Sequence, residues 1–283
     1  MPAPLASAQK AVRDCPLAVS PMAIPIARHK GDMAKKSGHA NKPPASLWLY
    51  GRHAVAAAIA NPDRKVHRVM ATKNALDWLN ARAINPHAIA KLEDVKPDAI
   101  DGALPKGSVH QGLAAEVADL PSAGLKEACA EPEDGARVVI LDQITDPQNI
   151  GAIFRSAAAF GARAIIAQDR RTPPLSGALA KAAAGAVETV PCVHVVNIAR
   201  AIEGLQAMGY HCAGLAGDSP HDIAELPKNY PLAIVMGAEG AGLRQLVKQT
   251  CDAQYRIPIS AEIESLNVAT ATAIALYAAK PKP

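Results

Sequence analysis

An α/β fold built on a mainly parallel sheet is predicted for most of this 283-residue chain, and three observations predict it. From Arg137 onward, short apolar runs ("RVVILDQ", "AIIAQ", "LAIVMG") alternate with longer stretches of helical spacing. Those runs are continuously apolar, as strands covered on both faces are, rather than alternating in and out. Only 3% of residues are aromatic while 49% are apolar, so the core must be layered Ala, Val, Ile and Leu.

Taken in order, residues 1–45 come first, with seven Lys/Arg against Asp14 and Asp32 and no sustained periodicity. This Ala/Pro/Ser-rich basic tail is expected to be disordered. Three readings of it stay open: a basic arm that helps hold RNA, an organelle transit peptide, or sequence upstream of a true start at Met33. The remaining residues carry 23 basic and 24 acidic side chains, so the basic balance belongs to the tail. Residues 46–118 read as a small α/β domain: a strand at "LWLY", a helix ending near Asn61-Pro62, a strand at Val66 to Ala71, a helix around Leu76 to Arg82, and a closing strand in "GLAAEVA". Residues 119–135, with two prolines and five acids, are expected to be a linker. Residues 136–283 form the second domain, whose strands and helices alternate through "CVHVV", "IARAIEGLQAMG", "HCAGLA", "LAIVMG", "GLRQLVKQ", "YRIPI" and a last helix in "SLNVATATAIALYAAK".

Composition excludes several classes. No apolar run reaches the roughly 18 residues that cross a bilayer. Five cysteines lie scattered, with no C-x-x-C pair, so they are expected to be reduced packing residues of a cytoplasmic protein, with no metal site.

Chemistry is expected beyond the carboxyl ends of the strands, where open parallel sheets bind ligands. "MGAEGAGL" stands at one such end. Gly237 and Gly242 have P-loop spacing, but Leu243-Arg244 replace the required Lys-Ser/Thr, and no G-x-G-x-x-G is present there. Glu239 in the turn would repel an anion at a helix N-terminus. The loop suits a flat, uncharged or cationic ligand, for which an adenosine carrying a sulfonium is one fit; alternatively Glu239 simply caps a helix over Gly240 to Gln249. In "DPQNIGAIFRSAAAFGA", Asn149 is expected at the start of a helix and Arg155 two turns on, among Ile153, Phe154, Ala157 and Ala158. Such an arginine has an anionic partner, or else lies on an ordinary exposed face. Ser265 and Asn267 stand before the last helix as an N-cap pair.

These three segments together resemble the three signature motifs of the SpoU-type (TrmH-type) RNA 2′-O-ribose methyltransferases of the SPOUT superfamily, in family order. "LYGRHAV" and "HQGLAAEV" resemble the ribosomal-protein-like (L30e-like) RNA-binding domain that precedes the catalytic domain in the subgroup acting on a guanosine of large-subunit ribosomal RNA. The resemblance implies a deep trefoil knot, S-adenosylmethionine as cofactor, and a homodimer using the small-sided last helix. It implies a polar catalytic site of Asn149, Arg155, Glu239, Ser265 and Asn267, and cofactor contacts from Met236, Gly237, Ala238, Glu239, Gly240, Ile257, Pro258, Ile259, Ser265, Leu266 and Asn267. The substrate implied is ribosomal RNA, with transfer RNA as the alternative. Residues 46–111 carry nine Lys/Arg against six acids, so RNA contacts are expected there at Arg52 and His53, then at Arg155, Arg170, Arg171 and Lys181. Two other functions compete: a non-catalytic RNA-binding module, which would have lost the Arg or Asn, and a nucleotide-binding enzyme, which lacks its loop.

Overall fold

The computed structural model describes residues 47–86 and 91–280. The expected basic tail lies outside the described residues. Two sheets organise the rest. The first is four-stranded, ordered β1-β4-β2-β3, from β1 (Leu47–Tyr50), β2 (Val66–Ala71), β3 (Lys91–Asp94) and β4 (Leu113–Val117). Strand β4 runs antiparallel to both neighbours, while β3 adds parallel to β2. Helices α1 (Arg52–Ala60), α2 (Lys73–Asn80) and α3 (Pro97–Ala103) cover it. The half-buried, charged spelling "KLED" suits β3 to an edge.

Residues 119–135 were expected to be a linker. They instead hold α4 (Leu125–Cys129), whose Cys129 is fully buried with the core under the second sheet. The Arg163 guanidinium donates to the carbonyls of Ala128, Ala130 and Glu131, closing the carboxyl end of that helix.

The second sheet is six-stranded and wholly parallel, ordered β10-β8-β9-β5-β6-β7. Its strands are β5 (Arg137–Asp142), β6 (Ala164–Gln168), β7 (Cys192–Val195), β8 (His211–Leu215), β9 (Leu232–Gly237) and β10 (Ala253–Tyr255). Every residue of β5 is buried, as its unbroken apolar run requires of a central strand. Helices α5 (Pro147–Ala159), α6 (Gly177–Ala183), α7 (Ile198–Ala207), α8 (Gln245–Thr250) and α9 (Val268–Ala278) complete the layers. Valines and isoleucines of β5, β6 and β9 alternate between two cores, one under α5 and α9, the other under α7.

Two elements fall short of expectation. Strand β10 ends at Tyr255, and Ile257 to Ile259 continue as coil, because Pro258 has no amide for a ladder. Helix α8 begins at Gln245 rather than Gly240, because Gly240 and Gly242 take φ of +76° and +65°. Close helix packing depends on Gly151 of α5: a Cβ there would stand 2.5 Å from the Leu179 carbonyl of α6. Arg137, 3% exposed, sits where β5 begins and ties α9 to the sheet through the carbonyls of Ala279, Lys228 and Tyr230. Burial lowers the pKa of that guanidinium.

Candidate functional site

Three turns at the carboxyl side of the sheet meet through side chains. The first opens α5, where Asp146 caps the helix by accepting from the amides of Gln148 (3.3 Å) and Asn149 (3.1 Å), with Pro147 preset in the first turn. The second follows β9. The third opens α9, where the Asn267 side chain accepts from the amides of Ala269 (3.0 Å) and Thr270 (3.3 Å). Asn267 acts as the expected N-cap; Ser265 lies exposed two residues earlier.

The turn after β9 folds back on itself. The Gly242 amide donates to the Ala238 carbonyl at 2.8 Å, and a Cβ on Gly237 would stand 2.2 Å from the Gly242 carbonyl carbon. No side chain larger than hydrogen fits at Gly237. Arg244 closes the turn from the other side: its amide, Nε and Nη2 all reach the Asp142 carboxylate, at 3.0, 2.8 and 2.6 Å. Asp142 is 0% exposed. That acid was not singled out from the sequence, although an acid closing the otherwise apolar strand "VVILD" was the available signal.

Glu239 joins the three turns. Its Oε1 accepts from Asn149 Nδ2 (3.1 Å), Asn267 Nδ2 (2.7 Å) and the Val268 amide (3.2 Å), and Asn267 Nδ2 also donates to Asn149 Oδ1 (2.8 Å). The carboxylate therefore sits at the amino end of α9, where the helix dipole favours it. It does not cap the helix following its own turn, the plain alternative drawn from the sequence. Its Oε2 accepts no hydrogen bond among the described residues.

Arg155 lies about 9 Å farther along the α5 axis than Asn149, from a rise of 1.5 Å per residue. It is exposed and makes no hydrogen bond or ion pair among the described residues. Of the two readings drawn from the sequence, the exposed face is the one observed, and the described residues supply no anionic partner. Of the expected cofactor contacts, Met236 is buried at the end of β9, Gly237 and Ala238 are half-buried, and Gly240 is exposed. Ile257 and Leu266 are half-buried, and Pro258 and Ile259 exposed. Residues 257–259 follow β10, two strands from β9 in the sheet order.

The expected RNA contacts fall into two groups. Arg170 and Arg171 are exposed in the turn after β6. Arg52, His53 and Lys181 gather where α1 begins: the Lys181 Cγ lies 3.3 Å from where a Gly51 Cβ would stand, and His53 meets Trp78 edge-on at 5.4 Å. The Arg52 amide donates to Gln111 Oε1 (3.2 Å), and Arg52 Nε donates to the Gln111 carbonyl (3.3 Å), so the two terminal guanidinium nitrogens are what Arg52 has left to offer among the described residues. Gln111, at φ +55°, gave no sequence signal for this role.

Residues 136–277 match the SpoU rRNA Methylase family. The chain belongs to that family. Relatives align across 82–83% of the chain and nearly their own full length. A 23S rRNA (guanosine-2′-O-)-methyltransferase RlmB of Photobacterium profundum is 38% identical over 246 residues, covering 82% of this chain and 96% of the relative. One from a Burkholderia species is 37% identical, covering 83% and 96%. The fold is shared with the SpoU methyltransferase AviRb of Streptomyces viridochromogenes, solved with AdoMet (TM-score 0.68, 22% identity, 83% and 89% covered). A putative TrmH-family RNA methyltransferase of Porphyromonas gingivalis matches with a TM-score of 0.65 and 26% identity, over 83% and 89%. As a SpoU-family chain, this protein meets the first expectation drawn from its three motifs. Among the described residues no group of His, Cys, Asp and Glu has metal-site geometry.

Proposed function

We propose that this protein is an S-adenosylmethionine-dependent methyltransferase that modifies the 2′-hydroxyl of a guanosine in 23S ribosomal RNA. The observation that carries the reading is the union of Asn149, Glu239 and Asn267 by hydrogen bonds at the start of the helix that also bears Arg155, which is exposed and without a partner among the described residues.

The residues fit the cofactor. A polyphosphate would meet the carboxylate of Glu239 in the turn, and the nearest arginine, Arg244, is engaged by Asp142. A flat adenosine with a positive sulfonium suits exposed backbone beside an acid with one free oxygen. Met236 to Gly240, Ile257 to Ile259, and Ser265 to Asn267 would hold it. When bound, S-adenosylmethionine supplies a methyl group already activated on sulfur.

The chain's own residues then align a weak nucleophile. A ribose hydroxyl needs placement and help in losing its proton. The Arg155 guanidinium, a planar fork that matches phosphate oxygens, grips the phosphate next to the reacting ribose and orients the hydroxyl. Asn149 and Asn267 have fixed amide orientations, because each is tied to Glu239, and with Ser265 they position ribose and cofactor. Glu239 holds the three turns together.

The finer architecture belongs to the same reading. Residues 46–118 serve as an L30e-like RNA-binding domain, with Arg52, His53 and Lys181 near its junction and Arg170 and Arg171 as further contacts. Residues 136–283 form a SPOUT domain with a trefoil knot. A homodimer uses α9, whose exposed Tyr277 pairs with Phe160 at 6.1 Å. No helix among the described residues is long and apolar enough to cross a membrane.

The test is transfer of a labelled methyl group from S-adenosylmethionine to unmodified 23S rRNA and, separately, to transfer RNA. Label recovered as 2′-O-methylguanosine from 23S rRNA is the expected result. Label confined to transfer RNA, or none in either, overturns the assignment.

A further inference from the structure

The sheet of β1–β4 is docked to the second sheet through α1, α6 and the short 3-10 turn Ala186–Glu188, and a buried ion pair lies inside that junction. Arg64, just after α1, donates through Nε and Nη2 to the Glu188 carboxylate at 3.0 and 2.7 Å. Its Nη1 donates to the Ala118 carbonyl at 2.8 Å, where the chain leaves the first sheet. Asn61 Nδ2 adds a bond to Glu188 Oε2 at 2.8 Å. The Arg64 and Glu188 side chains are 1% and 4% exposed. Backbones approach closely beside the pair: a Cβ on Gly185, at φ +97°, would stand 2.8 Å from the Ala57 Cβ.

A buried ion pair is a poor way to gain stability, since desolvation offsets its attraction and well-packed apolar replacements hold as well or better. Its distinctive property is direction. The guanidinium fork accepts a carboxylate in one plane and one rotation, whereas apolar surfaces slide. Slippage here would matter, because the same junction sets Lys181 of α6 against Gly51, beside Arg52 and Gln111.

We propose that Glu188, through Arg64, is a positioning residue that locks the first sheet in register with α6, so that Arg52 and Lys181 present one continuous RNA-facing surface. The proposal rests on the RNA methyltransferase reading above. Two contact groups held rigidly on one body act as linked binding modules, with an effective concentration that a loose junction forfeits.

The test compares Glu188→Ala and the double variant Arg64→Met/Glu188→Leu with the unaltered chain. The double variant keeps the junction packed with apolar side chains while removing the ion pair and its bonds to the Ala118 carbonyl and Asn61, so it decides the matter if Glu188→Ala fails to fold. The expected result is a KM for a 23S rRNA fragment raised about tenfold, with kcat at saturating RNA and affinity for S-adenosylmethionine unchanged. Faster hydrogen exchange at α1 and Ala186–Glu188 should accompany it. An unchanged KM, or unchanged exchange in the double variant, overturns the lock. If the unaltered protein transfers no methyl group, the enzymatic reading fails instead, while the exchange measurement still judges the junction.

Discussion

Arg155 and Arg137 begin from similar spelling, a cation set among apolar residues, and end in opposite environments. Arg137 is 3% exposed and satisfied by the carbonyls of Ala136, Lys228, Tyr230 and Ala279. Arg155 is exposed and has no partner among the described residues. A buried arginine must be satisfied from within the fold, because an unpaired charge in the interior is costly. One that is exposed and without a partner among the described residues is available to something outside the fold. The comparison separates arginines that hold the protein together, Arg64, Arg163 and Arg244 with Arg137, from an exposed one such as Arg155, for which a substrate contact is proposed.

Substitution should break the two roles apart. Arg155→Ala is expected to lower methyl transfer by about 10³-fold, the scale of losing one aligned charge contact in a transition state. It should leave thermal stability within about 0.5 kcal/mol and cofactor affinity unchanged. Single-turnover rates with calorimetric cofactor titration would check this, and undiminished turnover would remove Arg155 from the site. Arg137→Ala should do the reverse, costing on the order of 3 kcal/mol by orphaning several carbonyls. The molecules that remain folded should keep their activity. Chemical denaturation alongside activity per folded molecule would measure it.

The strands of this fold were legible in the sequence, whereas the contrast between the two arginines was not, and the parts that were hidden have physical causes. The runs "RVVILD", "AIIAQ" and "LAIVMG" became strands, because central parallel strands leave no alternative to burial. Asn149, Glu239 and Asn267 could be named together only because three motifs matched a family pattern. Nothing in local spacing says that residues 90 and 118 positions apart share hydrogen bonds. Asp142 and Glu188 were passed over for the same reason: each matters through an arginine far away in sequence. Helix α4 was hidden because five helical residues between proline-bearing turns look like a linker. The start of α8 was misplaced because "GAGL" permits a helix on paper, whereas the positive φ of two glycines is a property of the folded turn.

The glycine turn sharpens the comparison, since it is where structure and proposed binding use the same atoms. A Cβ at Gly237 meets backbone at 2.2 Å, and backbone cannot swing aside as a flexible side chain can. Gly237→Ala should cost about 1–3 kcal/mol through overpacking and should displace Glu239 from Asn149 and Asn267, weakening cofactor affinity more than stability. Gly240→Ala is the control: its Cβ meets nothing within 4 Å, so the penalty is only that of placing alanine at φ +76°. Calorimetric titration of both variants would separate them, and equal cofactor affinities would mean that the turn's inner geometry is irrelevant to binding.

The smallest expected effect concerns groups that belong wholly to the structural side. Burial raises the thiol pKa of Cys129 to about 11, and those of Cys192 and Cys251 to about 12, from an ordinary 9.0. It raises Cys212 further still, and lifts the phenol of Tyr210 from 10.0 to about 12. Each group holds its proton longer folded than unfolded, so the unfolded chain binds fewer protons above pH 9 and stability must fall as pH rises from there. Well below pH 8 both states are protonated and these groups contribute no slope. The native protein should therefore resist thiol alkylation at pH 8, with each of these four cysteines labelled only on unfolding. Mass spectrometry after brief iodoacetamide treatment at pH 8 would check it. Rapid native labelling of Cys212, which is fully buried, would place a thiolate where the sheet leaves no room for one, and would move that cysteine to the chemically active side of the comparison.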